Sequence, residues 1–191
     1  MDEILPGLWI GDILSTYNTP HLHSKNISTI ISLTDQPLPQ WLRAQYHELG
    51  ILHQDYRVQD DVLEDLLCIM KETCDAIDKS LHEGRGVLVH CGLGISRSGT
   101  TVLGYVMRER AVDREQALSF VRQKRSRVHP NTGFWEQLGI WHECHYDLFE
   151  VVDGVSLEKE AYREWKAKAA WEMRHRVLAL NDANVQSGGK N

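Results

Sequence analysis

Cys91 and Arg97, separated by five residues, are the pair in this chain best suited to chemistry on an anion. A thiolate is a strong nucleophile, and a guanidinium offers a planar fork that can hold two phosphate oxygens. Between them stand Gly92, Leu93, Gly94, Ile95 and Ser96, flanked by His90 and Ser98. Gly92 and Gly94 let the backbone curl around an oxyanion without Cβ clashes. The expectation is a loop in which residues 92–97 bind phosphate and Cys91 attacks phosphorus. Ser98 would donate a hydrogen bond to the sulfur and help it leave in a second step. His90 would order the loop through its ring nitrogens. A cysteine taken alone is most often a buried structural thiol. Here the flanking His, Gly, Arg and Ser residues, between a strand and a helix, together favour the catalytic reading.

A departing oxygen needs a proton, so an acid is expected nearby. Asp60 and Asp61 are the candidates. Asp61, with Glu64 three residues later, reads as a helix N-cap. Asp60 has no such structural role and is taken as the general acid, and as the base that activates water in the second step. The scheme calls for no metal and no cofactor.

The elements that must position these groups are legible from hydrophobic period. Glu3–Gly11 reads as a hairpin turned at Pro6-Gly7, Ile27–Leu33 as a buried strand, and Leu52–Val58 as a shorter one. Ser15–His23 is expected to begin a short helix, and Trp41–Leu49 is weakly helical. Val62, Leu66, Met70, Cys74, Ile77 and Leu81 form one apolar face of a predicted helix ended by Gly84 and Gly86. Val87–His90 is a buried strand. It delivers Cys91 to a loop whose next helix, containing Thr100–Arg110, aims its N-terminal dipole and unpaired N–H groups back at the loop. Asp113 and Gln116 form a capping-box pattern that opens a helix to about Arg125, and Pro130-Asn131-Thr132 starts another. Strands alternating with helices, followed by helices alone, indicate an α/β domain with a central sheet.

Composition shifts near Val151. Residues 1–148 read as the catalytic domain, and 149–191 as a C-terminal helical extension whose tail, Gln186–Asn191, is expected to be disordered. Ala161, Trp165, Ala169, Met173 and Val177 make a stripe read as packing that helix on the domain.

The net charge of −6 gives no reason to expect a nucleic-acid partner, and no apolar run is long enough to span a bilayer. The N-terminus lacks the pattern of a signal peptide, and neither end carries a lipidation motif. Four cysteines without paired spacing fit a reducing compartment, cytoplasm or nucleus. His142, Cys144 and His145 lie on one predicted helix without a second ligand pair, so a zinc site is not expected. Arg122, Lys124, Arg125 and Arg127 read as a solvated basic face, with some of them able to attract acidic or doubly phosphorylated substrates.

These residues resemble the dual-specificity protein phosphatases, within the cysteine-based protein tyrosine phosphatase superfamily. The resemblance rests on Ile4–Gly11, on Tyr56-Arg57-Val58-Gln59-Asp60 with Asp65-Leu66, on His90–Ser98, and on Arg127–Asn131 with Phe134 and Gln137-Leu138. It covers about residues 3–148. It implies a mixed sheet flanked by helices, and activity on phosphotyrosine and phosphoserine or phosphothreonine of protein substrates in a shallow cleft. It also supports Asp60 as the acid and makes Asn131 a brace for the phosphate loop. No kinase-docking domain precedes the matching segment, so the chain looks like a small, atypical member. A phosphoinositide or RNA 5′-phosphatase is the nearest rival, but such enzymes tend to carry basic residues within the loop, and Gly92–Ser96 is uncharged. A non-catalytic phosphate-binding module would be expected to lose the nucleophile, the arginine or the acid. A sulfur-transfer or arsenate-reducing enzyme fits poorly with Asp60 and Pro130-Asn131.

Overall fold

The computed structural model describes the backbone of residues 1–188 and the side chains of residues 1–180. A five-stranded sheet runs in the order β1 (Asp2–Leu5), β2 (Leu8–Gly11), β5 (Gly86–His90), β3 (Ile27–Thr34), β4 (Leu52–Arg57). Only β1 and β2 pair antiparallel; β2, β5, β3 and β4 are parallel neighbours, so the sheet is mixed. Parallel strands need crossovers, which cover both faces and favour continuous apolar runs. β5 accordingly has every residue buried.

Side chains on β5 alternate between two cores. Val87 and Val89 face the larger one, with Ile31 and Leu33 of β3 and the buried sides of α3 (Met70–His82), α4 (Arg97–Arg110), α5 (Arg114–Arg122) and α6 (Thr132–Glu143). Leu88 faces the smaller one, with Ile30, Leu22 of α1 (Thr19–Ser24) and Leu42 and Tyr46 of α2 (Gln40–Glu48). α4 packs Val102, Leu103, Val106 and Met107 inward, all fully buried. The capping box at Asp113 and Gln116 is present and opens α5, which stops at Arg122.

Four local expectations differ from the structure. The Ser15–His23 segment divides into a 3₁₀ turn, Ile13–Thr16, and α1. The long helix does not include Val62: it begins at Met70 after a 3₁₀ turn at Leu67–Ile69, and Val62 is exposed in a loop. The physical reason is Gln137. Its Oε1 accepts from the amides of Leu66 (2.9 Å) and Leu67 (3.1 Å), and its Nε2 donates to the Glu64 carbonyl (2.7 Å), so a side chain takes the place of a helical ladder. Asp61 is therefore not a helix cap; its carboxylate closes a loop turn on the Leu63 amide at 2.9 Å. Gly84, with φ +70°, follows α3 as expected, but Gly86 belongs to β5. A Cβ on Gly86 would stand 2.8 Å from the Asn26 carbonyl oxygen.

After α6 the chain forms a hairpin, β6 (Phe149–Val152) and β7 (Val155–Glu158), before α7 (Glu160–Gly188). Tyr162 and Trp165 bury themselves in the larger core. Met173 and Val177 are exposed, so the expected stripe packs only over its first part. Gln186–Gly188, read from sequence as disordered, are helical; residues 189–191 lie outside the described residues.

Candidate active site

Register fixes the level of the site. Gly11 of β2 and Ser32 of β3 both stand beside His90 at the C-terminal end of β5. In parallel sheets ligands bind beyond the strands' carboxyl ends, and Cys91 is the first residue past that edge.

The loop from Cys91 to Ser96 is held by its carbonyls. The Gly92 oxygen accepts from the Ile13 amide (3.2 Å), the Gly94 oxygen from Arg125 Nε (2.8 Å), and the Ile95 oxygen from the His129 amide (3.1 Å). The Leu93 oxygen accepts from Arg127 Nη2. With these carbonyls drawn outward into the scaffold, the amides of Gly94, Ile95 and Ser98 are left to face the Cys91 sulfur at the start of α4, an inward nest of the kind suited to an anion. Gly94 adopts φ +67°, and a Cβ there would lie 2.5 Å from the Gly11 carbonyl oxygen, so both conformation and space require glycine.

Cys91 sits at the centre of this nest, 1% exposed. Burial pushes its thiol up, but the Ser98 hydroxyl and the amides of Ser98, Ile95 and Gly94 outweigh that and hold it below the ordinary thiol value. Ser98 Oγ and the Gly94 amide both donate to Sγ at 3.2 Å. The other three cysteines move the opposite way. Burial raises Cys74 to about 12, and Cys144 rises for the same reason; Cys68, exposed at its surface, is raised to about 11 by partial desolvation and the neighbouring Asp65 and Glu64.

Arg97 donates from Nη1 to the Val58 carbonyl at 3.1 Å, which fixes its plane beside the acid loop. Its Nε is buried without a hydrogen-bond acceptor among the described residues, Asp60 Oδ2 standing 3.8 Å away. Asp60 is brought to the loop through its other oxygen. Oδ1 accepts from Ser96 Oγ (2.7 Å) and Asn131 Nδ2 (2.9 Å), while Ser96 Oγ itself accepts from the Asn131 amide (3.1 Å). Asn131 also caps α6, its Oδ1 accepting from the Phe134 amide at 2.8 Å. Ser96 thus contacts Asp60, the acid expected from sequence, and its side chain is already engaged by protein. Leu93 is 67% exposed on the outer surface of the loop, and Ile95 is half-buried.

His90 is fully buried. Burial pushes its ring down to about 4, so it is neutral, and its Nε2 meets Ser32 Oγ at 2.5 Å. The same hydroxyl lies 2.8 Å from His53 Nε2. Ser32, His53 and Gln137 were not singled out as site residues from sequence, and Arg125 and Arg127 were read as a solvated basic face able to attract substrate rather than as braces of the loop. Arg125 corrects an expectation: it is 7% exposed and bonds Gly94 and Asp2, so it is not a solvated residue awaiting substrate. No cluster of His, Cys, Asp and Glu suited to a metal occurs among the described residues, including around His142, Cys144 and His145.

Residues 8–144 match the family model described as "Dual specificity phosphatase, catalytic domain". The chain is 32% identical to "Protein phosphatase Slingshot homolog" of Xenopus laevis over 160 residues, covering 84% of this chain and 21% of that protein. It is 35% identical to "Dual specificity protein phosphatase 22" of Xenopus tropicalis over 164 residues, covering 86% of this chain and 73% of that protein. Among solved structures it resembles the human tyrosine phosphatase-like serine/threonine/tyrosine-interacting protein, with a TM-score of 0.69, 29% identity, and coverage of 77% and 98% of the two chains. The chain therefore spans about a fifth of one of these relatives and most of the other two. No helix among the described residues is long and apolar enough to cross a membrane.

Proposed function

The chain belongs to the dual specificity phosphatase family, and on that premise we propose that it hydrolyses phosphotyrosine and phosphoserine or phosphothreonine in proteins through a phosphocysteine at Cys91. The observation that carries this reading is the Cys91 sulfur, held below its ordinary pKa by Ser98 and the loop amides inside an anion nest.

In the first step the Cys91 thiolate forms the S–P bond while the P–O bond to the leaving group breaks. Asp60 gives its proton to the departing oxygen. Oδ1 is already bonded to Ser96 and Asn131, so Oδ2 is the oxygen that carries the proton. The inward N–H groups and the Arg97 guanidinium balance charge on the equatorial oxygens, and the unpartnered Arg97 Nε–H is one donor for them. In the second step a water attacks phosphorus, Asp60 takes its proton, and the S–P bond breaks. The sulfur leaves as thiolate, stabilised by the Ser98 hydroxyl.

Protein substrates are favoured over phosphoinositides or RNA 5′ ends by charge. The variable loop positions are uncharged, and the nearest basic side chains are occupied, Arg125 by Gly94 and Asp2, Arg127 by Leu93 and Asp12. Leu14 and Leu93 are instead exposed and apolar beside the loop, which the Ile13–Gly92 hydrogen bond brings together. A non-catalytic binding role is disfavoured by the presence of Cys91, Arg97 and Asp60 together.

The test is hydrolysis of phosphopeptides and of phosphoinositides by the full chain. Phosphopeptide turnover abolished by Cys91→Ser, and reduced about 10²- to 10⁴-fold by Asp60→Asn, is the expected result. Preference for phosphoinositides would overturn the substrate class, and full activity in Cys91→Ser would overturn the mechanism.

A further inference from the structure

The loop that carries Asp60 is gripped by α7, an element outside the segment matched by the family model. Arg176 Nη1 donates to Asp61 Oδ2 at 2.7 Å. The other Asp61 oxygen accepts from the Leu63 amide, so one carboxylate joins the turn of the acid loop to the last helix. The Leu63 amide first, and then the Arg176 hydrogen bond, hold the Asp61 carboxyl below its usual range. Further along the loop, the Tyr162 hydroxyl of α7 donates to Asp65 Oδ2 at 2.8 Å. Tyr162 is buried and stacks on buried Trp165, which anchors this part of α7 to the core.

The opposite side of the loop is closed by α6. A Cβ on Gly133 would stand 1.8 Å from the Val62 carbonyl oxygen, so the backbones approach as closely as glycine permits. Segment 61–65 is therefore clamped between α6 and α7. Asp60 and Asp61 line one side of a cleft of about 500 Å³ whose other side is Glu172 and Arg176. The catalytic carboxylate and the helix thus border the same opening.

We propose that Arg176 is a positioning residue that acts through Asp61 to hold Asp60 against the leaving-group oxygen. This rests on Asp60 being the general acid. Arg176 touches neither the nucleophile nor the phosphate nest, so its effect is confined to proton delivery. An exposed ion pair of this kind contributes a factor of about five at most, which sets the size of the effect.

The experiment measures kcat for the full chain on aryl phosphates ranging from good to poor leaving groups. Good leaving groups depart without a proton; poor ones require it. Arg176→Ala is expected to lower kcat about five-fold on the poorest leaving group and leave the best unchanged. Arg176→Lys should recover most of the loss. Arg174→Ala, which removes an exposed positive charge of α7 that makes no hydrogen bond to the acid loop among the described residues, should leave both rates unchanged. Equal loss across the series, no loss at all, or the same steepening in Arg174→Ala would overturn the proposal. Asp60→Asn separates the two readings. If it fails to steepen leaving-group dependence, the acid assignment falls. If it steepens the dependence but Arg176→Ala does not, only the positioning role falls.

Discussion

Arg125 Nε donates to the Gly94 carbonyl at 2.8 Å from behind the phosphate loop, and Arg125 Nη1 pairs with Asp2 across the edge of the sheet. The loop is thus braced by a buried guanidinium whose partners are protein groups. Arg125→Ala is expected to cost about 1–3 kcal/mol in urea unfolding, the usual cost of stranding a buried polar partner. It should also weaken competitive inhibition by inorganic phosphate. Arg125→Lys keeps the charge but not the fork, and should restore stability better than phosphate affinity.

Ser98 is the largest single contributor holding the Cys91 thiol down, so removing its hydroxyl should move the thiol up. The pH midpoint of Cys91 alkylation by iodoacetamide is expected to rise in Ser98→Ala. The leaving sulfur also loses its donor, so phosphocysteine should accumulate after rapid quenching. A midpoint that stays or falls would contradict the assignment.

Asn131 performs two tasks with two different atoms, Oδ1 capping α6 and Nδ2 holding Asp60. Asn131→Asp keeps a good cap but replaces the amide donor with a carboxylate facing Asp60. Thermal stability should change little, while kcat on a poor leaving group falls about ten-fold, the effect of losing roughly 1.4 kcal/mol in the transition state. Asn131→Ala should lose both.

The fold should weaken on mild acidification because of His90. Burial lowers its folded pKa from 6.5 to about 4, so the unfolded chain takes up this proton first. That contribution is complete above about pH 6.5 and declines as pH falls towards 4, by about 3 kcal/mol in all. His53, also lowered by burial, acts in the same direction. Urea unfolding across this range should show a shallower loss in His90→Asn than in the parent.

Local signals were readable from sequence where one stretch of chain decides the outcome. The apolar runs of β3 and β5, the capping box at Asp113 and the glycine requirement at Gly94 are of this kind. The periodic stripe from Val62 misled because Gln137, far along the chain, satisfies the backbone around Leu66 in place of a helix. Asp60 was separated from Asp61 by a cap that does not form. What distinguishes them in space is that Ser96 and Asn131 hold one, while Leu63 and Arg176 hold the other. Arg125 looked like one more surface charge because no local pattern announces that a carbonyl from a distant loop lies within its reach.

The brace on Gly94 also limits how this loop can diversify. A side chain at position 94 collides with the Gly11 carbonyl, and Ser96 is tied to Asp60. Leu93, 67% exposed, is the loop position whose side chain is freest to vary without disturbing the nest. Mutational libraries aimed at altered substrate preference should therefore yield most of their active members at that codon.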